Sequence, residues 1–147
     1  MVRYTILQSK TMPHDHSPEQ ATLKERIALF DSSEFAQLLD VKIIEAREGY
    51  ARVMMPPLQK KNPNGVVHGG AIFSLADHAF AIAANAGRTG RVAVSIHIQY
   101  IAPAYGELIA ISEIVGENGR YSTYRVKVYE GDRIIAQCDG VAIRKSA

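Results

Sequence analysis

Residues 62–86 read "NPNGVVHGGAIFSLADHAFAIAANA", a long apolar helix opened by a glycine pair and carrying an aspartate at its middle. Taking about 100° per residue from Asp77, the polar residues Ser74, Asn85 and His78 fall in one sector together with Gly70. Leu75, Ile72, Ala79, Ile82, Ala83 and Ala86 fill the opposite side, and Phe73, Phe80, Ala81 and Ala84 lie close beside Asp77 itself. The carboxylate is therefore flanked by apolar side chains. Desolvation disfavours its charged form, so the group must be paired, be raised in pKa, or serve chemistry. The plainer alternative is a solvated aspartate on the rim of the fold.

The helix start bears on that choice. Gly69 and Gly70 leave backbone amides uncovered at a helix N-terminus, where they attract a developing negative charge in the manner of an oxyanion hole. A tight loop-to-helix turn would also use a glycine pair. Asn62, before Pro63, offers two amide donors and an acceptor and can orient a water or a substrate carbonyl, or simply make a turn. His68 fits three roles: a base, a donor to substrate, or a capping group.

Outward from this helix the chain reads as an α+β pattern. From Pro18, "EQATLKERIALF" spaces Leu23, Ile27 and Phe30 as an amphipathic helix. "SEFAQLLD" predicts a second short helix capped by Ser32 or Ser33, with Phe35, Leu38 and Leu39 facing inward. "VKIIEAREG" and "YARVMMPP" predict a hairpin joined at Gly49. "RVAVSIHIQYIAP" alternates, with Val92, Val94, Ile96, Ile98 and Tyr100 on one face and Ser95, His97 and Gln99 on the other. "GELIAISEIVG", "GRYSTYRVKVYEG" and "RIIAQCDGVAIRK" add three strands, giving four in succession and predicting an antiparallel meander. One sheet must wrap one helix.

At 147 residues the chain has the length of one domain with its own core, and 17 basic against 15 acidic residues is too mild a balance for a nucleic-acid binder. The polar residues of the long helix deny it an uninterrupted membrane span of about 20 residues. With a single cysteine, Cys138, and no secretory signal pattern, a reducing cytoplasm is expected. Residues 1–18 read as an N-terminal arm, where His14 and His16 lack the further ligands a metal site needs.

The order N-P-N-G-V-V-H-G-G-A-I-F-S-L-A-D resembles the signature of hotdog-fold acyl-CoA thioesterases of the phenylacetic-acid-degradation type. The resemblance runs from about Phe35 to Ile143 and includes "YIAPA" and "IAQCDGVAIR". It implies a hotdog domain over residues 19–147, an antiparallel sheet wrapped around the central helix. It also implies that Asp77 is the general base or nucleophile, that Gly69 donates the oxyanion amide, and that Asn62 and His68 stand for the motif's asparagine and histidine. Many relatives place a serine or threonine in the strand facing the site. Here Ala93 takes that register, with Ser95 two residues away.

Gly69 and Asp77 are eight residues apart, about 12 Å along a helix axis, so one thioester carbon cannot touch both. The expectation is a homodimer in which Asp77 of one subunit faces Gly69, Asn62 and His68 of the other; a homotetramer is implied by the resemblance only. The expected reaction is hydrolysis of aromatic or medium-chain acyl-CoA without metal or cofactor. Gly70, Phe73, Phe80 and Tyr100 would lie near the substrate, or the aromatics would simply be core, and Arg88 and Arg91, or Lys60 and Lys61, would meet the coenzyme A phosphates or simply be solvated. A hydratase or dehydratase acting on enoyl thioesters, or a non-catalytic acyl-CoA-binding protein, are the alternatives.

Overall fold

A computed structural model describes residues 22–87 and 89–146; the arm with His14 and His16, the Pro18 helix start and Arg88 lie outside the described residues. The elements are α1 (Leu23–Asp31), α2 (Glu34–Leu39), β1 (Lys42–Arg47), β2 (Tyr50–Met55), α3 (Gly69–Asn85), β3 (Arg91–Tyr100), β4 (Leu108–Asn118), β5 (Tyr121–Glu130) and β6 (Arg133–Arg144). The strands form a six-stranded antiparallel sheet in the order β1-β2-β4-β5-β6-β3. This is the α+β hotdog architecture, the sheet curling around α3.

Local signals explain most boundaries. At α1, Thr22 Oγ1 accepts from the Glu25 N–H at 3.2 Å while the Glu25 carboxylate accepts from the Thr22 N–H at 2.6 Å, a reciprocal cap that starts the helix. Ser33 occupies the position before α2, but its hydroxyl donates to the Phe30 carbonyl and does not cap a helix amide. The β1–β2 turn passes through Gly49 at φ 76°, whose N–H donates to the Ala83 carbonyl of α3 at 3.0 Å, so the hairpin turn is tied to the helix it covers.

Three expectations are corrected. The meander holds for β4, β5 and β6, but β3 pairs with β6 and not with β4, because β2 already occupies the free edge of β4. The single apolar face expected of β3 is broken by a bulge at Val94: Ala93 pairs with Ala142, and the next pair is Ser95 with Val141. Val92 consequently faces away from the helix, while Ala93, Ile96, Ile98 and Tyr100 share the helix-facing side. In α2, Ala36 is buried and Leu39 half-buried, whereas Phe35 and Leu38 turn outward, because so short a helix offers the core only one narrow edge.

The core lies between α3 and the sheet. Ile72, Leu75, Ala79, Ile82 and Ala83 of α3 are buried against Val53, Met55, Leu108, Ala110, Val126 and Val128. Phe80 is also buried, its ring 5.2 Å from that of Tyr124, and a Cβ built at Gly140 would lie 2.9 Å from the Phe80 ring. Glycine is required at 140 because an aromatic ring occupies the space. Gly140→Ala is expected to destabilise the fold by about 1–3 kcal/mol through overpacking. Denaturant unfolding reads this directly, and an unchanged midpoint would show that Phe80 can move aside.

Candidate active site

Four N–H groups open any α-helix without an intrahelical partner. At α3 the local sequence disposes of them unequally. His68 is the N-cap: its Nδ1 accepts from the Gly70 N–H at 2.8 Å, and its carbonyl accepts from Ala71 at 2.9 Å and Ile72 at 3.1 Å. The Gly69 N–H takes no partner among the described residues. Of the three roles open to His68, capping is the one its contacts fill. An Nδ1 that accepts is unprotonated, which leaves Nε2 as the ring's donor.

The loop before the helix is fixed by Asn62. Its Oδ1 accepts from the Asn64 N–H at 2.9 Å and the Val66 N–H at 3.4 Å, and its own N–H donates to Val66 at 2.8 Å. That turn is closed onto the sheet side by His68 N–H donating to Lys60 and Val67 N–H donating to Ala104. The Asn62 carbonyl oxygen is thus committed to the loop, and its amide nitrogen is the part left for another group. An open cleft of about 320 Å³ lies at this end of the helix, bordered by Phe35, Lys60, Lys61, His68, Gly70 and Ser74. Asp77 does not border it.

Asp77 sits two turns further along, half-buried, with no ion pair or side-chain hydrogen bond among the described residues. Burial alone pushes its carboxyl above the ordinary aspartate range. Beneath it lies Cys138 of β6, fully buried; burial, followed by the charges of Asp139 and Asp77, pushes that thiol up to about 11. A thiol so held is no nucleophile at neutral pH. Nothing in the sequence pointed to Cys138 as a neighbour of Asp77, since that requires the pairing of β6 with the rest of the sheet.

The polar sector around Asp77 resolves into structural roles. Ser74 donates to the Gly70 carbonyl at 2.7 Å, and Asn85 donates to Ala81 at 3.0 Å and accepts from the Arg91 N–H at 2.8 Å. His78 lies edge-on to Phe30 at 6.0 Å, and burial pushes its imidazole down, opposed by the charge of Asp31.

Among the remaining residues expected to meet substrate, two are placed otherwise. Phe80 belongs to the interior between α3 and the sheet and does not border the cleft at the helix start. Arg91 is buried and ion-paired with Glu117 at the far end of β3, because Asn85 and Glu117 draw it inward. Phe73 is half-buried, and Gly70 borders the cleft with its amide capped. The residue that sequence reasoning placed only loosely is Tyr100, whose hydroxyl donates to the Gly69 carbonyl at 2.9 Å.

Known proteins share this combination of sequence and fold. The Thioesterase superfamily profile matches residues 64–136. The acyl-coenzyme A thioesterase PaaI of Escherichia coli is 31% identical over 69% of this chain and 74% of its own. The chain belongs to the hotdog thioesterase superfamily. An Archaeoglobus fulgidus protein with the provisional name of esterase is 35% identical over 86% of each chain. The solved structure of E. coli PaaI superposes with a TM-score of 0.79 at 27% identity over 85% of this chain and 94% of that one. The phenylacetic acid degradation protein PaaI of Thermus thermophilus, solved as a point mutant, superposes at 0.73 and 30% identity over 77% and 100%. A thioester hydrolase is thus the class of enzyme to which this chain belongs.

The raised carboxyl of Asp77 has a consequence for stability. A carboxyl held above its ordinary 3.8 binds its proton more tightly in the folded chain. Its contribution is therefore present at low pH and lost as pH rises through the ordinary value towards the raised one. Asp77→Asn is expected to raise the melting temperature at pH 7, with the difference from the parent vanishing below about pH 3.8. Equal melting temperatures at pH 7 would show that the carboxylate is not desolvated.

Proposed function

We propose that this thioesterase-superfamily chain hydrolyses acyl-CoA thioesters at sites shared between two copies of itself. The observation that carries the proposal is that one helix holds both an uncovered amide, at Gly69, and an unpaired, half-buried carboxyl, at Asp77, too far apart to serve one carbon. Two further features support it. PaaI of E. coli, 31% identical over 69% of this chain, is an acyl-coenzyme A thioesterase. Among the described residues no strand pairs with the outer edge of β3, and Val92, Val94 and Tyr100 on it, with Ile101 just beyond, are 45%, 52%, 54% and 54% exposed. A ten-residue strand edge with exposed apolar side chains is a template for pairing with a second copy. Two-fold pairing of β3 with β3 runs antiparallel, so the Tyr100 end of one copy, with Gly69 beside it, meets the Arg91 end of the other.

In the proposed site the Gly69 N–H of one copy hydrogen-bonds the thioester carbonyl oxygen, and more strongly as that oxygen becomes an oxyanion. Asp77 of the other copy takes a proton from a water, whose oxygen forms the new bond to the carbonyl carbon. Collapse of the tetrahedral adduct breaks the carbon–sulfur bond; coenzyme A leaves as a thiolate and takes up the proton. Burial makes Asp77 a stronger base than an exposed aspartate, which suits this role. The Asn62 amide nitrogen and the His68 Nε2–H are donors for the thioester or the water. Aromatic or medium-chain acyl groups suit a seam bordered by Phe73 and Tyr100, with Lys60 and Lys61 at the cleft mouth for the phosphates. The reaction needs no metal or other cofactor, and a cytoplasmic setting suits its substrate. A tetramer of such dimers, which the resemblance implies, adds nothing to the chemistry.

Release of free thiol from a panel of aromatic and fatty acyl-CoAs tests the reading. Asp77→Asn is expected to lower kcat by about 10²–10⁴-fold, the range of a lost general base, and undiminished turnover would remove Asp77 from the mechanism. Sharing between copies is tested with Gly69→Pro, which deletes the amide donor at the first helical position, where the backbone accepts proline, and whose ring must also press the Tyr100 ring aside. Two inactive chains, Asp77→Asn and Gly69→Pro, co-refolded in equal amounts, are expected to regain about a quarter of parental activity, since half the dimers would each hold one intact site. No recovery would place both groups in the same subunit's site.

A further inference from the structure

The peptide unit joining Gly69 to Gly70 is held at both ends. Its carbonyl oxygen accepts from Tyr100 Oη at 2.9 Å, and its N–H donates to His68 Nδ1 at 2.8 Å. The first clamp comes from the end of β3 and the second from the residue before the helix, so strand and loop together fix the rotation of the first helical turn. The Tyr100 ring also stands against Gly69 itself. A Cβ built there would lie 3.2–3.4 Å from Tyr100 Cζ, Oη and Cε1, tighter than ordinary contact. The ring thus walls one side of the Gly69 α-carbon and leaves the N–H to open on the other.

From this geometry we infer that Tyr100 is a positioning residue: it sets the direction of the Gly69 amide and is the reason position 69 is glycine. The inference rests on the hydrolytic reading of the site. The Gly69 N–H belongs to the preceding peptide unit, whose His68 carbonyl is held by the Ala71 and Ile72 N–H groups; the Tyr100 hydrogen bond fixes the unit on the other side of the Gly69 α-carbon, about which glycine otherwise has the widest rotational freedom of any residue. An oxyanion donor is effective only when it already points at the place where charge will develop. Tyr100 need not touch the thioester to matter, because its hydroxyl is spent on the Gly69 carbonyl. Its ring, 54% exposed in the single chain, is available to border the acyl group as well.

The full-length chain is assayed for thiol release from one good acyl-CoA, with melting temperature recorded for each variant. Tyr100→Phe keeps the ring and deletes the clamp; kcat is expected to fall about fivefold to tenfold, the scale of one orienting hydrogen bond, while KM and melting temperature stay near parental values. Gly69→Ala is expected to lose activity in the parent but much less in a Tyr100→Ala background, where no ring opposes the new methyl group. Unchanged kcat in Tyr100→Phe, a kcat loss that tracks a lower melting temperature, or strictly multiplicative losses in the double variant would each overturn the inference. If Asp77→Asn abolishes turnover while Tyr100→Phe keeps the parental kcat, only this inference falls. If Asp77→Asn is fully active, the hydrolytic reading falls first.

Discussion

An ionisable carboxyl on an apolar helix, with no cation or donor at hand among the described residues, is the constraint around which this fold is arranged. Moving a carboxylate out of water without compensation is costly, and a sequence selected for stability alone would place alanine or leucine at position 77. The surrounding structure tolerates the acid because it is only half-buried and because some of its neighbours are small. Ala81 and Ala84 of α3 leave room beside it, and Cys138 beneath it is a soft, nearly apolar group that the carboxylate further discourages from ionising. The penalty shows as a raised affinity for protons, which is the property a base needs.

The same helix separates two tasks by distance. Its first turn gathers donors: His68 satisfies the Gly70, Ala71 and Ile72 amides and leaves the Gly69 amide over. Its middle carries the acid. Because an α-helix advances about 1.5 Å per residue, no side-chain rearrangement within one chain closes that gap. Shared sites are the consequence in the proposed dimer, and the exposed edge of β3 is the surface that would build them. The ion pair of buried Arg91 with exposed Glu117 stiffens one end of that edge and the Tyr100–Gly69 hydrogen bond ties the other to α3, so the strand offered to a second copy is held at both ends.

What the sequence revealed divides along local and non-local lines. The span and polarity of α3, the hairpin at Gly49 and the β5–β6 turn at Gly131 depend on residues within a few positions of one another, and periodicity with glycine placement makes them readable. Phe80 is different: its burial is decided by Tyr124 and by the missing side chain at Gly140, both distant in sequence. Arg91 reads as a loop cation until Glu117, on another strand, is known to lie beside it. The order of strands follows from which edges remain free, and no local pattern reports that β3 joins β6. Within the site, the carboxylate on an apolar face was legible as an anomaly, and His68 as one of three possibilities. Tyr100 stood in the sequence as the last residue of an alternating strand, with nothing to show what its hydroxyl would meet.

The bulge at Val94 explains why it meets Gly69. Side chains alternate strictly between the faces of a sheet, and directly paired residues share a face. Ala93, opposite Ala142, lies on the helix-facing side. Had pairing continued without interruption, Ser95, His97 and Gln99 would have followed it inward, and Ile96, Ile98 and Tyr100 would have faced away. The extra residue reverses that parity. Ile96 then lies opposite Gly140, Ile98 opposite Cys138 and Tyr100 opposite Ala136, all on the side of α3. A single unpaired valine thereby keeps three polar side chains out of the core, sets two isoleucines against the helix near Asp77, and carries a phenol to the carbonyl at the helix start. The alternation of "RVAVSIHIQY" contains both apolar registers, Val92 with Val94 and Ile96 with Ile98, in the same phase. Only the partner strand, where Ala142 and Val141 receive Ala93 and Ser95, decides that the two halves of β3 point to different faces.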